Sequence, residues 1–284
     1  MKSTTDGLVL VADAYIDLQT HTVLSDGVWT PQGLIDHFVS EGFGLAAITD
    51  HDRADTVIEL QQLAAAKHFP LLIAAEITAA WKGEMTDVLC YGFDPEKPAL
   101  SDLTRDILRR QQDNTRMIYD NLVRQGYRFE PNDLQSVLDK PSAQQPNEWI
   151  ALVKKYGYDN PELSAGKIVL GAGFAFATVE IAAAVEAGHQ SGGVCLIAHP
   201  GRTDFITYTP AMFDELRQDV PIDGFEVYYP RHTPEQIAMY LDYARKHNLL
   251  TSSGSDSHTP EKPPIRYRAE LSRDLLERVG IGVR

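Results

Sequence analysis

The sequence predicts an α/β fold in which seven parallel strands form a (β/α) barrel, with a helical insertion between strands 4 and 5. Three observations lead there. Short apolar runs alternate with amphipathic helical stretches, the pattern of a parallel sheet covered by helices. Polar, chemistry-bearing residues recur at the C-terminal ends of the runs, in QTH, TDH, AAE, AHP and GSDSH. A site assembled from the ends of many strands belongs to a barrel, whereas an open sheet concentrates its site at one switch point. Finally, no Gly-rich nucleotide loop follows any run.

The seven runs are Tyr15–His21, Leu45–His51, Pro70–Glu76, Asp87–Phe93, Val194–Pro200, Gly224–Tyr229 and Leu249–Asp256. Most are continuously apolar rather than alternating, as strands buried on both faces should be. Helices are expected over Thr30–Glu41, Thr56–His68, Thr178–Ala187 and Pro234–His247. The first opens on Thr-Pro, a cap followed by proline at the first helical position, and stops at Gly42. About 100 residues separate Phe93 from Val194, far more than a βαβ crossover requires. Ser101–Gly126 reads as a long Arg-rich amphipathic helix and Asn147–Gly157 as another. Residues 96–172 are therefore expected to form a helical insertion, a lid, with residues 1–95 and 173–284 making the barrel.

With 284 residues, 43% of them hydrophobic, the chain suffices for one barrel-sized core. Its net charge of −14 is the wrong sign for neutralising a phosphate backbone. No stable nucleic-acid partner is expected. Cys90 and Cys195 lie inside apolar runs and read as reduced core residues. No run is long enough to span a bilayer, and the N-terminus lacks a signal-peptide pattern, so a cytoplasmic protein without a membrane partner is expected.

Four of the nine histidines, His21, His51, His199 and His258, sit at run ends beside carboxylates. Asp26, Glu76 and Asp256 join them. Gathering so many ionisable groups in one place is costly unless a cation compensates. Mixed imidazole and carboxylate donors suit manganese, zinc or iron. Asp17 is expected to orient an imidazole from behind, and Asp52 to be an N-cap or loop residue. His37, His68 and His247, in helical stretches, read as solvated or capping residues, and His189 as structural. Trp81, Tyr228 and Tyr229 could stack a base but read first as packing residues.

The segments DLQTHTVLSDG, ITDHD, the Glu of IAAE, AHPGR and GSDSH resemble, in order, the motifs of the PHP (polymerase and histidinol phosphatase) superfamily, and within it the stand-alone phosphoesterase branch. The resemblance spans about residues 15–95 and 175–262. It implies a distorted (β/α)7 TIM-like barrel with up to three divalent ions at one face. It implies further that His21, Glu76 and Asp256 share one ion, that Glu76 bridges to a second held by His199, and that Asp26, His51 and His258 hold the third. Three departures stand out. Gln19 replaces the first His of a His-x-His pair, Asp87 replaces a His of the fourth strand, and Gln145-Pro146-Asn147 stands where an Arg-Pro-His segment is usual. Gln19 and Asp87 remain candidate ligands. The implied function is a hydrolase in which metal-activated water attacks a small phosphomonoester, nucleotide-like or sugar-like. Arg202, His199 and Asp256 are expected to carry the catalysis, with Arg202 contacting phosphate and Arg231 and His232 as second choices. The departures leave two other readings open: an amidohydrolase-like hydrolase of a non-phosphate ester or amide, and a metal-binding protein without catalysis.

Overall fold

Three helices begin at the same dipeptide. Thr30-Pro31, Thr209-Pro210 and Thr233-Pro234 each place a threonine hydroxyl where it accepts an otherwise unpaired N–H, from Gly33, Met212 and Gln236 at 3.1, 3.4 and 3.2 Å. The proline that follows supplies a φ already suited to a helix. Pro31–Ser40, Pro210–Asp219 and Pro234–His247 result. Hydropathy alone does not announce the second of these, but its Thr-Pro start does. The third closes on Asn248, in the left-handed region at φ 53°.

The computed structural model describes residues 3–284. In chain order the strands are β1 (Val9–Leu10), β2 (Tyr15–Asp17), β3 (Leu45–Ala47), β4 (Leu71–Leu72), β5 (Ala74–Trp81), β6 (Glu84–Tyr91), β7 (Val179–Glu180), β8 (Val194–Ile197), β9 (Gly224–Tyr228), β10 (Leu250–Ser253), β11 (Tyr267–Arg268) and β12 (Gly282–Val283). β2, β3 and β4 pair in parallel, and β4 passes into β5 after Ile73. β8, β9 and β10 are also parallel. Beyond the ends of β2 and β10 the two chains meet again. Leu18 N–H donates to the Ser253 carbonyl at 3.1 Å, and Asp256 N–H to that of Gln19 at 2.9 Å.

One strand corrects the all-parallel expectation. β5 does not stop at Glu76 but runs on to Trp81 and returns as β6 through Lys82 and Gly83, at φ 54° and 81°. Two positive φ values at the centre of a two-residue loop make the hairpin turn whose twist matches that of the strands. β6 is consequently antiparallel to both neighbours, with Glu76 opposite Leu89 and Cys90 opposite Cys195.

β3 explains why the apolar runs are continuous. Leu45 and Ala47 pack into one core with Ile16, Leu72, Leu89 and Leu196. Ala46 and Ile48 pack into a second with Leu34, Phe38 and Leu60 from the two flanking helices and with Phe69 just beyond the second. Successive side chains point to opposite faces, and here both faces are dry.

The chain divides into two compact units. The first comprises residues up to Leu103 together with Val179–Arg284, and the second is Thr104–Thr178. The second is helical, built from most of Pro98–Arg124 with Asp133–Leu138, Gln145–Lys155 and Ala165–Gly171. They close on Ile118, Leu122, Trp149, Val153 and Ile168. No helix of the described residues is long and apolar enough to cross a membrane.

A Cβ on Gly224 would lie 2.0 Å from the Leu250 carbonyl oxygen, where β9 meets β10. Gly224→Ala should therefore cost about 3 kcal/mol in urea unfolding, the upper range for overpacking. Gly166, inside a helix, has open space at that position. Gly166→Ala should be neutral or stabilise by roughly 0.5–1 kcal/mol, and equal effects of the two changes would refute the steric account.

Candidate metal centre

The extended segment after β2 carries Gln19 and His21, two residues apart and so on one side of the chain. Both are fully buried. The turn that follows is braced by Asp50, whose carboxylate accepts the Thr22 N–H and the Thr22 and Ser25 hydroxyls, each at 2.7 Å. That turn presents Asp26. At Gly27 a Cβ would meet the His21 carbonyl at 2.5 Å, so the chain can fold back on itself only at a glycine. His51 leaves the end of β3 and bridges to Glu76 in β5. β8 delivers His199, and the chain beyond β10 delivers Asp256 and His258. Asp87 arrives from the first half of β6, because that strand enters from the site end.

The side chains converge on Glu76. His21 Nε2 lies 3.1 Å from Glu76 Oε2 and 3.2 Å from Asp256 Oδ1. His199 Nε2 lies 3.3 Å from Glu76 Oε1 and 3.8 Å from Asp87 Oδ2. Gln19 Nε2 donates to Glu76 Oε2 at 3.0 Å. On the far side of His21 three imidazoles stack, with centroids 4.9 Å apart to His51 and 4.2 Å to His258. Asp26 faces them, at 3.2 Å from His258 Nε2 and 3.7 Å from His21 Nδ1. His258 Nδ1 donates to the Asp256 carbonyl at 2.9 Å, which fixes its ring and aims Nε2 at Asp26. Three groups bring their ligand atoms within 4.8 Å of one another: His21, Asp26, His51 and His258; His21, Glu76 and Asp256; and His51, Glu76 and Asp87.

The electrostatics are those of a place short of positive charge. Burial works against a charge on His21, yet Asp256 and Glu76 hold its imidazole charged well above the ordinary range. Burial likewise opposes a charge on His51, but Glu76 and Asp26 lift it to about 9. Asp87 is pushed up to about 7, by burial first and then by the charge of Glu76. Nδ1 of His21, Oε1 of Gln19 and both oxygens of Asp87 are buried without a hydrogen-bond partner among the described residues. Buried polar atoms are rarely left unpaired. Lone pairs from nitrogen and oxygen converging in this way fit a divalent cation, and the residues present suit one.

Among the surrounding residues, Asp17 and His232 take roles other than those expected. Asp17 orients no imidazole. Its carboxylate accepts the N–H groups of Ser255 and Ile265 at 2.9 and 2.8 Å, tying the segment that carries Asp256 to β2. Asp52, itself at φ 55°, accepts the Thr78 N–H at 3.0 Å. His232 cannot contact a phosphate, because Nε2 accepts the Gly201 N–H and Nδ1 donates to the Val227 carbonyl. Trp81 stacks on Tyr208. Tyr229 does reach the site, its hydroxyl donating to Asp256 Oδ2 at 3.4 Å. Glu226 is a functional neighbour that the sequence pattern does not single out. Fully buried, it accepts the His199 N–H at 3.1 Å, and burial pushes its carboxyl well above the ordinary range. Its signal is a lone charged residue inside the apolar run GFEVYY. A separate group of His189, Cys195 and Asp223 is a structural tie. Asp223 accepts the Cys195 N–H, and contact with Cys90 and burial keep the Cys195 thiol protonated.

No family model matches the chain. The 3',5'-nucleoside bisphosphate phosphatase of Chromobacterium violaceum is 27% identical over 256 residues, covering 87% of this chain and 88% of that protein. A 5'-3' exoribonuclease of Haemophilus influenzae is 27% identical over 252 residues, with 86% and 90% covered. Among solved structures, a metal-dependent phosphoesterase of Bifidobacterium adolescentis superposes with a TM-score of 0.74 at 24% identity, over 99% of this chain and 98% of the other. A two-domain protein of Bacteroides vulgatus containing a PHP-like metal-dependent phosphoesterase aligns over 96% of this chain and 67% of its own, with a TM-score of 0.50 at 15% identity. Over more than four fifths of its length the chain is thus similar to enzymes that act on phosphate esters of nucleotides, and its PHP-like motifs are in keeping with them.

The two substituted positions lie on either side of Glu76. Gln19 spends its amide nitrogen on the glutamate, and Asp87 adds a carboxylate where the resemblance implies an imidazole. An acid whose folded-state pKa is raised destabilises the fold progressively as pH climbs from its ordinary value to the raised one. In chelator-treated protein Asp87→Asn should accordingly stabilise, on the order of 1–3 kcal/mol at pH 8 and less at pH 5. With divalent ions restored, the same change should lower the amount bound. Thermal unfolding and elemental analysis read the two effects, and a loss of stability without metal would contradict the picture of an uncompensated carboxylate.

Proposed function

We propose that this protein hydrolyses a small phosphomonoester, nucleotide-like or sugar-like, at the centre described above. It is a metal-dependent hydrolase of phosphoric esters by class, a reading supported by the PHP-like motifs and by relatives matched over most of their length. The observation that carries the finer reading is the set of buried, unpartnered nitrogen and oxygen atoms around Glu76, with a guanidinium beside it. Two or three divalent ions, manganese, zinc or iron, would be held by His21, Asp26, His51, Glu76, Asp87, His199, Asp256 and His258, with Gln19 adjoining. Bound there, such ions lower the pKa of a coordinated water and offset charge on phosphoryl oxygens.

The protein's own residues supply position. Arg202 is half-buried, its Nη1 lies 3.8 Å from Asp256 Oδ2, and its guanidinium stacks 4.3 Å above Phe205. A guanidinium so placed suits the non-bridging oxygens of a phosphate, which it can bind through two parallel hydrogen bonds. His199 is oriented through its own backbone by Glu226, and Asp256 by the Tyr229 hydroxyl. The names of the relatives, a nucleoside bisphosphate phosphatase and an exoribonuclease, favour a nucleotide-like substrate over a sugar-like one. The same reading takes the strands from β2 to β10 as one distorted (β/α)7 barrel, and the helical unit as its insertion between the fourth and fifth barrel strands.

Purified protein should carry transition metal by elemental analysis and hydrolyse nucleoside monophosphates or 3',5'-bisphosphates in Mn²⁺. His199→Ala should lower both metal content and kcat/KM, the latter by at least about a hundredfold. Hydrolysis of uncharged esters or amides without inhibition by inorganic phosphate would point instead to an amidohydrolase-like enzyme. Gln19→His restores an imidazole beside Glu76 and should raise the metal bound per chain; an unchanged content would place position 19 outside the ligand set.

A further inference from the structure

Beside the centre, a guanidinium suited to a phosphate is already holding an anion. Arg202 Nε and Nη2 donate to Oδ1 and Oδ2 of Asp204, both at 2.9 Å. The two residues lie in one loop with a single residue between them. Arg231 adds a second guanidinium, its Nη2 at 3.4 Å from Asp204 Oδ1. Asp204 is half-exposed at 48%, whereas the Arg202 side chain, at 22%, is largely enclosed. The remaining edge of Arg202 faces Asp256. Arg202 therefore looks inward to the metal-ligand candidates and is covered from outside by a carboxylate.

Two parallel N–H···O bonds to a carboxylate have the geometry of the same fork on a phosphate. A tethered carboxylate also competes at a high effective concentration. An incoming group displaces it only by bringing more charge or better-placed oxygens. A doubly charged phosphate does so, and a neutral ester or amide does not. Arg231, already drawn to the same spot, would share the extra charge.

We infer that Asp204 sets the specificity of this site, occupying the Arg202 fork in the free protein as a tethered competitor that a substrate phosphate replaces. This rests on the phosphoester reading above. Asp204 acts through Arg202 and takes no part in the chemistry.

The test compares the metal-loaded full chain as wild type, Asp204→Asn, Arg202→Gln and the double variant. Inorganic phosphate binding is measured by calorimetry, and KM and kcat with a nucleoside phosphomonoester. Asp204→Asn should tighten phosphate binding three- to tenfold and lower KM by a similar factor, with the effect falling on KM rather than kcat. In the Arg202→Gln background the gain should vanish, because the fork that Asp204 blocks is gone. If Asp204→Asn weakens phosphate binding or leaves it unchanged, Asp204 merely orients Arg202 and the inference is overturned. A gain that persists without Arg202 overturns it as well. Should the wild type hydrolyse no phosphomonoester while the binding pattern holds, the phosphoester reading falls and the tethered competitor stands. Phosphomonoester hydrolysis with no binding gain in Asp204→Asn overturns the tethered competitor and leaves the phosphoester reading intact.

Discussion

Glu76 is the constraint around which the site is built. It lies in β5 with no exposure to solvent, and His21, His199 and Gln19 all approach its two oxygens within 3.3 Å. A buried carboxylate is tolerated only when charge or hydrogen bonds surround it. Every neighbouring element is arranged to supply them. The segment after β2 brings Gln19 and His21, β3 brings His51 into a backbone bridge with Glu76 itself, and β8 brings His199. Glu76 is held well below the ordinary carboxylate range, since the opposing cost of burial is outweighed by His51, His199 and His21. Removing it would take away the carboxylate nearest to both His21 and His199.

That convergence requires awkward backbone. His199, Asp256 and Asp52 have φ values of 27°, 55° and 55°, in the left-handed region that side chains other than glycine rarely adopt. Such residues cost of order 1–3 kcal/mol each and persist only where the surroundings over-determine them. The surroundings here are identifiable. Glu226 holds the His199 N–H, Asp17 holds the segment before Asp256, and the Thr78 N–H holds the Asp52 carboxylate. The braces are themselves buried acids, so polar groups behind the site stabilise the strain in front of it.

These braces mark what the sequence does and does not reveal. The helix starts are legible because a cap and its proline are neighbours in the chain. The strand runs are legible because burial on both faces of β3 leaves no polar position. His21, His51, His199 and His258 stand out because each ends such a run. The braces are illegible for the opposite reason. Asp17 acts on backbone groups 238 and 248 residues away, and nothing local to Asp17 distinguishes that role from orienting an imidazole. The hairpin between β5 and β6 is hidden because the run AAEITAAW contains its site residue near the start, so the strand seems complete at Glu76. Once β6 is seen to be antiparallel, Asp87 at its first half falls beside the ends of the other strands.

Asp87, opposite His199, also changes the balance of charge at the centre. Among the residues nearest Glu76, the substituted positions contribute an amide and a carboxylate where two imidazoles are implied. The deficit of positive charge is met in the protein alone by protons. His21 and His51 hold theirs well into the alkaline range, and Asp87 holds one up to about neutrality. Cations and protons thus compete for the same lone pairs, and binding one ion must release protons from these groups. Asp26, already stripped of its proton by the pull of His51 and His258 against the cost of burial, has none to give. Ion binding near Asp26 therefore draws its protons from the imidazoles alone, whereas near Glu76 it draws on Asp87 as well. The two halves of the centre differ in their coupling to pH although they share His21 and His51.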